Sequence, residues 1–191
     1  MDYARQRELI PITTSEFARI ANGFFSTRIE TLGPMHWRIH DREHLQTLRY
    51  DNAKTLTVDY AHSKGVLGHR LHQNNLYLFL NPLIDKPEIS LINKATKKSR
   101  DGFALVSSRW DIVEATREPE NTIRLKAKGF GKGEMVWKVP QKGHYEIRVQ
   151  RASDSLLTRQ VASKDGEITF ELDVDAVTPV EIVIRQVEVA S

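Results

Sequence analysis

Hydrophobic and polar residues alternate along most of the chain, and the alternation is clearest in its last quarter. Tyr145, Ile147 and Val149 share one side of their run, and polar residues take the other side. Residues 166–173 and 180–187 repeat the pattern. A period of two places successive side chains on opposite faces of a sheet. We therefore expect the three runs to be strands of one antiparallel sheet with a buried and a solvated face.

The same alternation continues upstream and predicts about a dozen short strands in all, as in a sandwich. The upstream segments are residues 28–32, 35–40, 45–50, 56–60, 66–72, 76–80, 88–92, 103–107, 110–113, 122–126 and 134–139. The fold class is therefore mostly β, an antiparallel β-sandwich or jelly roll. A weak boundary near residues 95–102 leaves two divisions open. Residues 27–191 form either one sandwich or two β subdomains, at 27–95 and 102–191.

One or two short helices are expected before the strands. Residues 2–9 look like the end of a helix that Pro11 stops, and Thr13 and Glu16 form a capping box for a second helix at 14–25. The apolar stripe of this second helix is Phe17, Ile20, Ala21 and Phe24, and Gly23 weakens its last turn. The stripe packs on the sandwich, or residues 1–26 are the end of an upstream domain that this chain lacks.

Composition narrows the function classes only modestly. The net charge is +3, with 28 Lys and Arg against 25 Asp and Glu, and the basic residues are spread rather than concentrated. We therefore expect no nucleic-acid partner, and we read the basic cluster at 94–100 as a solvated hairpin tip or an anion-binding loop. The absence of cysteine excludes disulfides and thiol catalysis. No apolar run approaches the roughly 20 residues of a membrane span.

Catalytic and metal-binding patterns are weak. His36, His40 and His44 recur every four residues, but in a strand four residues span about 13 Å, too far for a shared ion. The glycine-rich segment 129–133 lacks the Lys-Ser/Thr ending of a phosphate loop and leads into a strand. We therefore predict no metal, no cofactor and no catalytic residue.

The aromatic residues suggest a binding role, because sugar rings stack on aromatic planes while polar neighbours hold their hydroxyls. Trp137 lies between apolar residues and is expected in the core, whereas for Trp110 a core position and a surface position both stay open. Tyr77 and Phe79 lie opposite three leucines, so we expect their strand to be buried on both faces. The candidate carbohydrate-binding residues are Trp110, Trp37, Tyr60, Arg109 and His36.

Part of the chain resembles a known domain junction. The segments 12–20, Phe24-Phe-Ser-Thr-Arg28 and Trp37-Arg-Ile39 resemble the end of the catalytic domain, and the start of the C-terminal β-rich region, of large bacterial polysaccharide deacetylases of the Pel exopolysaccharide type. The segments 45–51 and 63–68 are similar to the downstream region, so the resemblance covers residues 2–80. The zinc-site motifs of that family, an Asp-Asp pair and His-Ser/Thr-x-x-His, are missing. His40 and His44 have the histidine spacing but lack the other members.

The resemblance implies a non-catalytic accessory portion that lies near an amino-sugar polymer, in the periplasm or outside the cell. A chain complete in itself, with no signal peptide before residue 20, would instead be cytoplasmic. The first hypothesis is a carbohydrate-binding accessory module. The second is a protein-interaction domain that docks an upstream catalytic domain through helix 14–25. The third is a metal-dependent hydrolase that uses the histidines.

Overall fold

A computed structural model of the protein describes residues 12–96, 102–150, 156–172 and 176–187. Within these ranges the chain is mostly β, with fifteen strands, one α-helix and one short 3-10 turn. The expected helix at 2–9 and most of the basic cluster at 94–100 lie outside the described residues. No helix in the described part of the chain is both long enough and apolar enough to cross a membrane.

The secondary-structure elements follow one another in a simple order, with helix α1 first and strands after it. Their bounds are α1 (Thr14–Ser26), β1 (Arg28–Gly33), β2 (His36–His40), β3 (Thr47–Tyr50), β4 (Leu56–Val58), β5 (Val66–His72), β6 (Asn75–Leu80), β7 (Glu88–Asn93), the 3-10 turn (Lys94–Thr96), β8 (Ala104–Ser108), β9 (Asp111–Glu118), β10 (Thr122–Gly129), β11 (Gly133–Lys138), β12 (His144–Gln150), β13 (Leu156–Ala162), β14 (Glu167–Leu172) and β15 (Ala176–Val187). The chain divides into two compact units, Ile12–Arg100 and Asp101–Ser191.

The N-terminal unit buries one core between two sets of strands. One set has the order β1-β2-β7-β4, and in the other β6 pairs with both β3 and β5. Buried residues alternate along β7 of the first set and β6 of the second, as the period of two predicts. The shared core consists of Ile39, Ala53, Val58, Val66, Leu76, Leu78, Leu80, Ile89 and Leu91. Gln73 and Asn74 have positive φ in the two-residue loop between β5 and β6, as in a tight hairpin turn.

The C-terminal unit is built in the same way. Its larger sheet has the order β13-β12-β15-β10-β9, and β11 pairs with β14 and with β8. Buried side chains alternate along β10, β11, β12 and β14, and the fully buried ones include Trp137, Tyr145, Met135, Ile147 and Ile168. The prediction that Trp137 lies in the core is confirmed.

Two strand predictions for this unit need correction. The three alternating runs do not belong to one sheet, because β12 and β15 pair with each other while β14 pairs with β11. Alternation determines which side of a strand is buried, but it carries no information about which layer holds the strand. Strand β13 was also missed, although it pairs along the whole of β12.

Helix α1 begins as predicted, but it packs in an unexpected way. The capping box between Thr13 and Glu16 is present. Gly23 does not end the helix; it is the one buried residue of α1. A Cβ atom at this position would overlap the carbonyl oxygen of Arg42 and would lie 3.3 Å from the backbone nitrogen of Leu45. The helix therefore contacts the loop after β2 through bare backbone rather than through its apolar stripe.

The loop that receives α1 is itself held by a buried arginine. The guanidinium of Arg42 donates hydrogen bonds to the carbonyl oxygens of Leu45, Asn81 and Ile84 at 2.7–2.9 Å. Burial lowers the pKa of Arg42 from its ordinary value. One side chain thereby ties together carbonyl oxygens from three positions, and the surface against which Gly23 packs is fixed.

This contact makes the effect of Gly23→Ala on stability informative. Alanine at an unobstructed helix position should stabilise the fold by about 1 kcal/mol. Overlap with the Arg42 carbonyl should instead destabilise it by about 1–3 kcal/mol, so we expect the urea midpoint to fall. Gly33→Ala is the matched control, because a Cβ there meets nothing within 4 Å. A higher midpoint for Gly23→Ala would show that α1 does not pack through Gly23.

Candidate functional site

The five residues predicted to bind carbohydrate are divided between the two units. Trp110 and Arg109 belong to the C-terminal unit, and Trp37, Tyr60 and His36 belong to the N-terminal unit. Within the N-terminal unit, Trp37 and Tyr60 both pack against the core cluster. His36 lies on the opposite face of β2 from Trp37, as the alternation predicts.

Trp110 is only 3% exposed, so neither face of its ring is accessible for stacking. Its indole fills space that Gly129 and Gly133 leave open, since a Cβ at either glycine would overlap the ring. The indole Nε1 also donates a hydrogen bond to the carbonyl of Gly131 at 3.2 Å. The glycine-rich segment 129–133 thus packs against the buried indole of Trp110.

Trp37 and Tyr60 are half-buried and each has a partner in the fold. The ring of Trp37 packs at 5.5 Å from the ring of Tyr50. The hydroxyl of Tyr60 lies 2.9 Å from Nδ1 of the buried His69, whose Nε2 lies 3.1 Å from the hydroxyl of Thr57. A ring and a hydroxyl that already have such partners offer little to a ligand, so these residues serve the fold first.

His36 belongs to a row of alternating charges across β1, β2 and β7. Arg38 is central: it donates two hydrogen bonds to Glu88, at 2.9 and 3.1 Å, and one to Glu30 at 3.2 Å. His40 lies 2.9 Å from Glu30, and His36 lies 3.7 Å from Glu88. We call these five residues the Arg38 network.

The electrostatics of the Arg38 network suit ion pairing rather than acid catalysis. The hydrogen bonds from His40 and Arg38 lower the pKa of Glu30, and the hydrogen bond from Arg38 lowers the pKa of Glu88. Both carboxylates are therefore ionised at neutral pH and hold no proton to donate. Among the residues that the structure describes, no group of three or more His, Asp or Glu is arranged to hold a metal ion.

A different aromatic surface lies on the outer side of strands β3, β6 and β5. In β6 the leucines at 76, 78 and 80 are buried, so Tyr77 and Phe79 project to the opposite side, where they are half-buried. Tyr77 is directly opposite Arg49 of β3 and Arg70 of β5. We call Arg49, Arg70, His72, Tyr77 and Phe79 the Tyr77 face. The expectation that β6 is buried on both faces is wrong for the face of Tyr77 and Phe79, which is only half-buried.

The Tyr77 face contains a shallow cavity with mixed aromatic and basic walls. The cavity has a volume of about 240 Å³ and is lined by Arg70, His72, Tyr77 and Phe79. Directly opposite residues of paired strands lie about 5 Å apart at Cβ, so the side chains of Arg49 and Arg70 begin on either side of Tyr77. Arg49 forms an ion pair with Asp51 at 2.9 Å. Arg70 is exposed, and it forms no ion pair with any described residue.

The sequence contains a signal for this face in the aromatic residues of β6. Tyr77 and Phe79 alternate with leucines, and a run that is apolar on both sides admits either a doubly buried strand or an outward aromatic pair. Only the strand pairing brings arginines to both sides of Tyr77, because Arg49 and Arg70 are distant from it in sequence. That pairing cannot be derived from alternation alone.

A second exposed surface is apolar and belongs to helix α1. Phe17, Phe24 and Phe25 are 61%, 68% and 83% exposed, and Ile20 is also exposed. We call these four residues the α1 surface. They remain exposed because Gly23, on another side of the helix, makes the contact with the fold. The expectation that the stripe packs on the sandwich is therefore wrong.

Comparison with known proteins adds no assignment to these surfaces. No protein-family model matches the chain. Neither a curated protein nor a solved structure matches it. The similarity to polysaccharide deacetylases therefore stays an expectation from the sequence.

The Arg38 network predicts a pH dependence of stability. A carboxylate whose folded pKa is lowered contributes stability above its ordinary value of 4.5 and loses that contribution as pH falls through the folded value. We expect Glu88→Gln to be less stable than the parent at pH 7 and to lose less stability below about pH 4.5. Urea midpoints measured from pH 7 to pH 3 test this.

Glu134→Gln serves as the control, because Glu134 is an exposed strand carboxylate with no ion pair among the described residues. Its profile should run parallel to that of the parent protein. Identical slopes for Glu88→Gln and the parent would mean that the Arg38 network does not hold Glu88 in its ionised form.

Proposed function

We propose that this chain is a non-catalytic accessory module that binds a polysaccharide on the Tyr77 face. The observation that carries the proposal is the cavity in which Tyr77 and Phe79 lie beside Arg70 and His72. Binding sites for small ligands and sugar units combine aromatic walls with a few polar groups that fix orientation. Here the rings offer stacking planes, and the arginine and histidine side chains offer hydrogen-bond partners for hydroxyls.

The chemistry of the two glutamates in the Arg38 network supports binding without catalysis. Glycoside cleavage and related reactions need a carboxyl group that holds a proton near neutral pH. Glu30 and Glu88 have lowered pKa values and are engaged by Arg38. We therefore propose that reaction chemistry belongs to a partner domain, as the resemblance to deacetylases implies, and that the assembly works in the periplasm or outside the cell.

The first test is binding to an array that includes acetylated and deacetylated amino-sugar polymers, the class that the resemblance implies. We expect Tyr77→Ala to weaken binding about fivefold, because one stacked ring contributes about 1 kcal/mol. Tyr77→Phe should keep most of the affinity, since it retains the ring. Phe25→Ala is the control, because it removes an aromatic ring that is 83% exposed and lies outside the Tyr77 face. Unchanged affinity in folded Tyr77→Ala would refute this site.

The α1 surface favours a second function, docking of a protein domain. An amphipathic helix that presents apolar residues to solvent matches the helix-in-groove mode of recognition. Phe17, Ile20 and Phe24 are spaced three and four residues apart, as that mode requires. The occupant we propose is an apolar groove of the neighbouring catalytic domain. The two functions use different elements and are compatible in one module.

The docking function requires that the α1 surface be free of contacts within this chain. We expect Phe24→Ala to change the free energy of unfolding by no more than about 0.5 kcal/mol. Phe103→Ala, at a phenylalanine that is 3% exposed, should cost about 3–5 kcal/mol. Urea unfolding measures both, and a hydrophobic dye should bind the Phe24 variant less than the parent. A large loss of stability in Phe24→Ala would mean that the helix surface is covered in solution.

A further inference from the structure

The charge of the Tyr77 face restricts the class of polysaccharide that it can hold. Arg49 and Arg70 flank Tyr77 in strand register, and His72 lies on the wall of the same cavity. Asp51 is paired with Arg49 and accounts for one of the two positive charges. The guanidinium of Arg70 is exposed and forms no ion pair among the described residues. One positive charge beside the stacking ring is therefore left for a ligand.

Most other strand arginines that the structure describes form ion pairs with carboxylates. Arg38 binds Glu30 and Glu88, and Arg124 binds Glu118 and Glu181. Their charges are balanced by carboxylates on neighbouring strands. Arg70 has the same kind of position, on an outward face of a strand, but its cross-strand neighbour is an aromatic ring. Its planar fork of donors matches a carboxylate or sulfate group geometrically.

We infer that the Tyr77 face binds a polysaccharide with anionic sugar units, such as a uronic-acid polymer, and that Arg70 determines this selectivity. The inference rests on the proposed function and deepens it. The sugar ring stacks on Tyr77 while its carboxylate accepts hydrogen bonds from the Arg70 guanidinium. A deacetylated amino-sugar polymer, which carries ammonium groups, is repelled by the same charge.

A nucleic acid also combines anionic groups with flat rings, but the surroundings favour a glycan. Single-stranded nucleic-acid sites use a basic groove that follows several phosphates. The Tyr77 face has one arginine without an ion pair among the described residues, and the chain as a whole carries only a small positive charge, +3. A single carboxylate per stacked ring suits this arrangement better than a row of phosphates.

The test compares four soluble probes by calorimetry: oligomers of galacturonic acid, galactose oligomers of equal length, chitosan oligomers and a single-stranded oligonucleotide. We expect the galacturonic acid oligomers to bind at least about fivefold more tightly than the neutral ones, and the chitosan oligomers to bind least. Binding of the galacturonic acid oligomers should weaken as the salt concentration rises, because exposed ion pairs are screened. Arg70→Gln should reduce affinity for the acidic oligomer about three- to tenfold and should change affinity for the neutral oligomer less than twofold.

Matched variants separate charge from geometry. Arg70→Lys keeps the charge and loses the fork, so it should fall between the parent and Arg70→Gln. Arg19→Gln, at another exposed arginine, should match the parent. Equal affinity for acidic and neutral oligomers, or no effect of Arg70→Gln, would overturn the inference and leave the proposed function standing. Failure to bind any of the three oligomers, together with failure to bind the acetylated amino-sugar polymers of the array, would remove the proposed function too. Tighter binding of a single-stranded oligonucleotide than of any oligomer would overturn both in favour of nucleic acid.

Discussion

The burial of Leu76, Leu78 and Leu80 is the constraint on which the candidate site depends. These leucines belong to the core of the N-terminal unit, and the side-chain period of a strand is two. Tyr77 and Phe79 must therefore project outward, and a shift of β6 by one residue would expose the leucines and turn Tyr77 and Phe79 toward the core. The free energy that holds the Tyr77 face in place is thus the hydrophobic free energy of the opposite side of the same strands. The packing of the core therefore holds the Tyr77 face in position.

Glycines account for two of the places where the structure departs from what a local sequence pattern suggests. An apolar helical stripe normally packs inward, but α1 makes its contact through Gly23, where only a residue without a Cβ can approach the Arg42 carbonyl. A glycine-rich loop suggests an anion site, but Gly129 and Gly133 make room for the indole of Trp110. In both cases the missing side chain permits a close approach of two parts of the chain. That approach then determines which apolar groups are buried and which are exposed.

The sequence predicted the mostly β class, most strand positions, the capping box and the core position of Trp137, because each of these follows from local periodicity or local hydrogen bonding. It did not predict that β14 pairs with β11, or that Tyr77 lies between two arginines. Both facts depend on pairing between segments distant in sequence, and alternation is the same for every partner. The polar neighbours Arg109 and Asp111 make Trp110 a candidate ligand-binding residue in the sequence, but the close contact with two glycines that buries it is a tertiary feature.

The two exposed surfaces of the N-terminal unit differ in chemistry, and the difference bears on what they contact. The α1 surface is made of phenylalanine and isoleucine, so its favourable interaction is the removal of apolar area from water, which requires a large and complementary partner. The Tyr77 face is small and combines stacking planes with charge, which suits a ligand of a few sugar units. A protein partner gains little from a shallow basic cavity, and a hydrophilic polymer gains little from exposed phenylalanines. The separation of apolar area from charge therefore argues for two kinds of partner, a protein at α1 and a glycan at Tyr77.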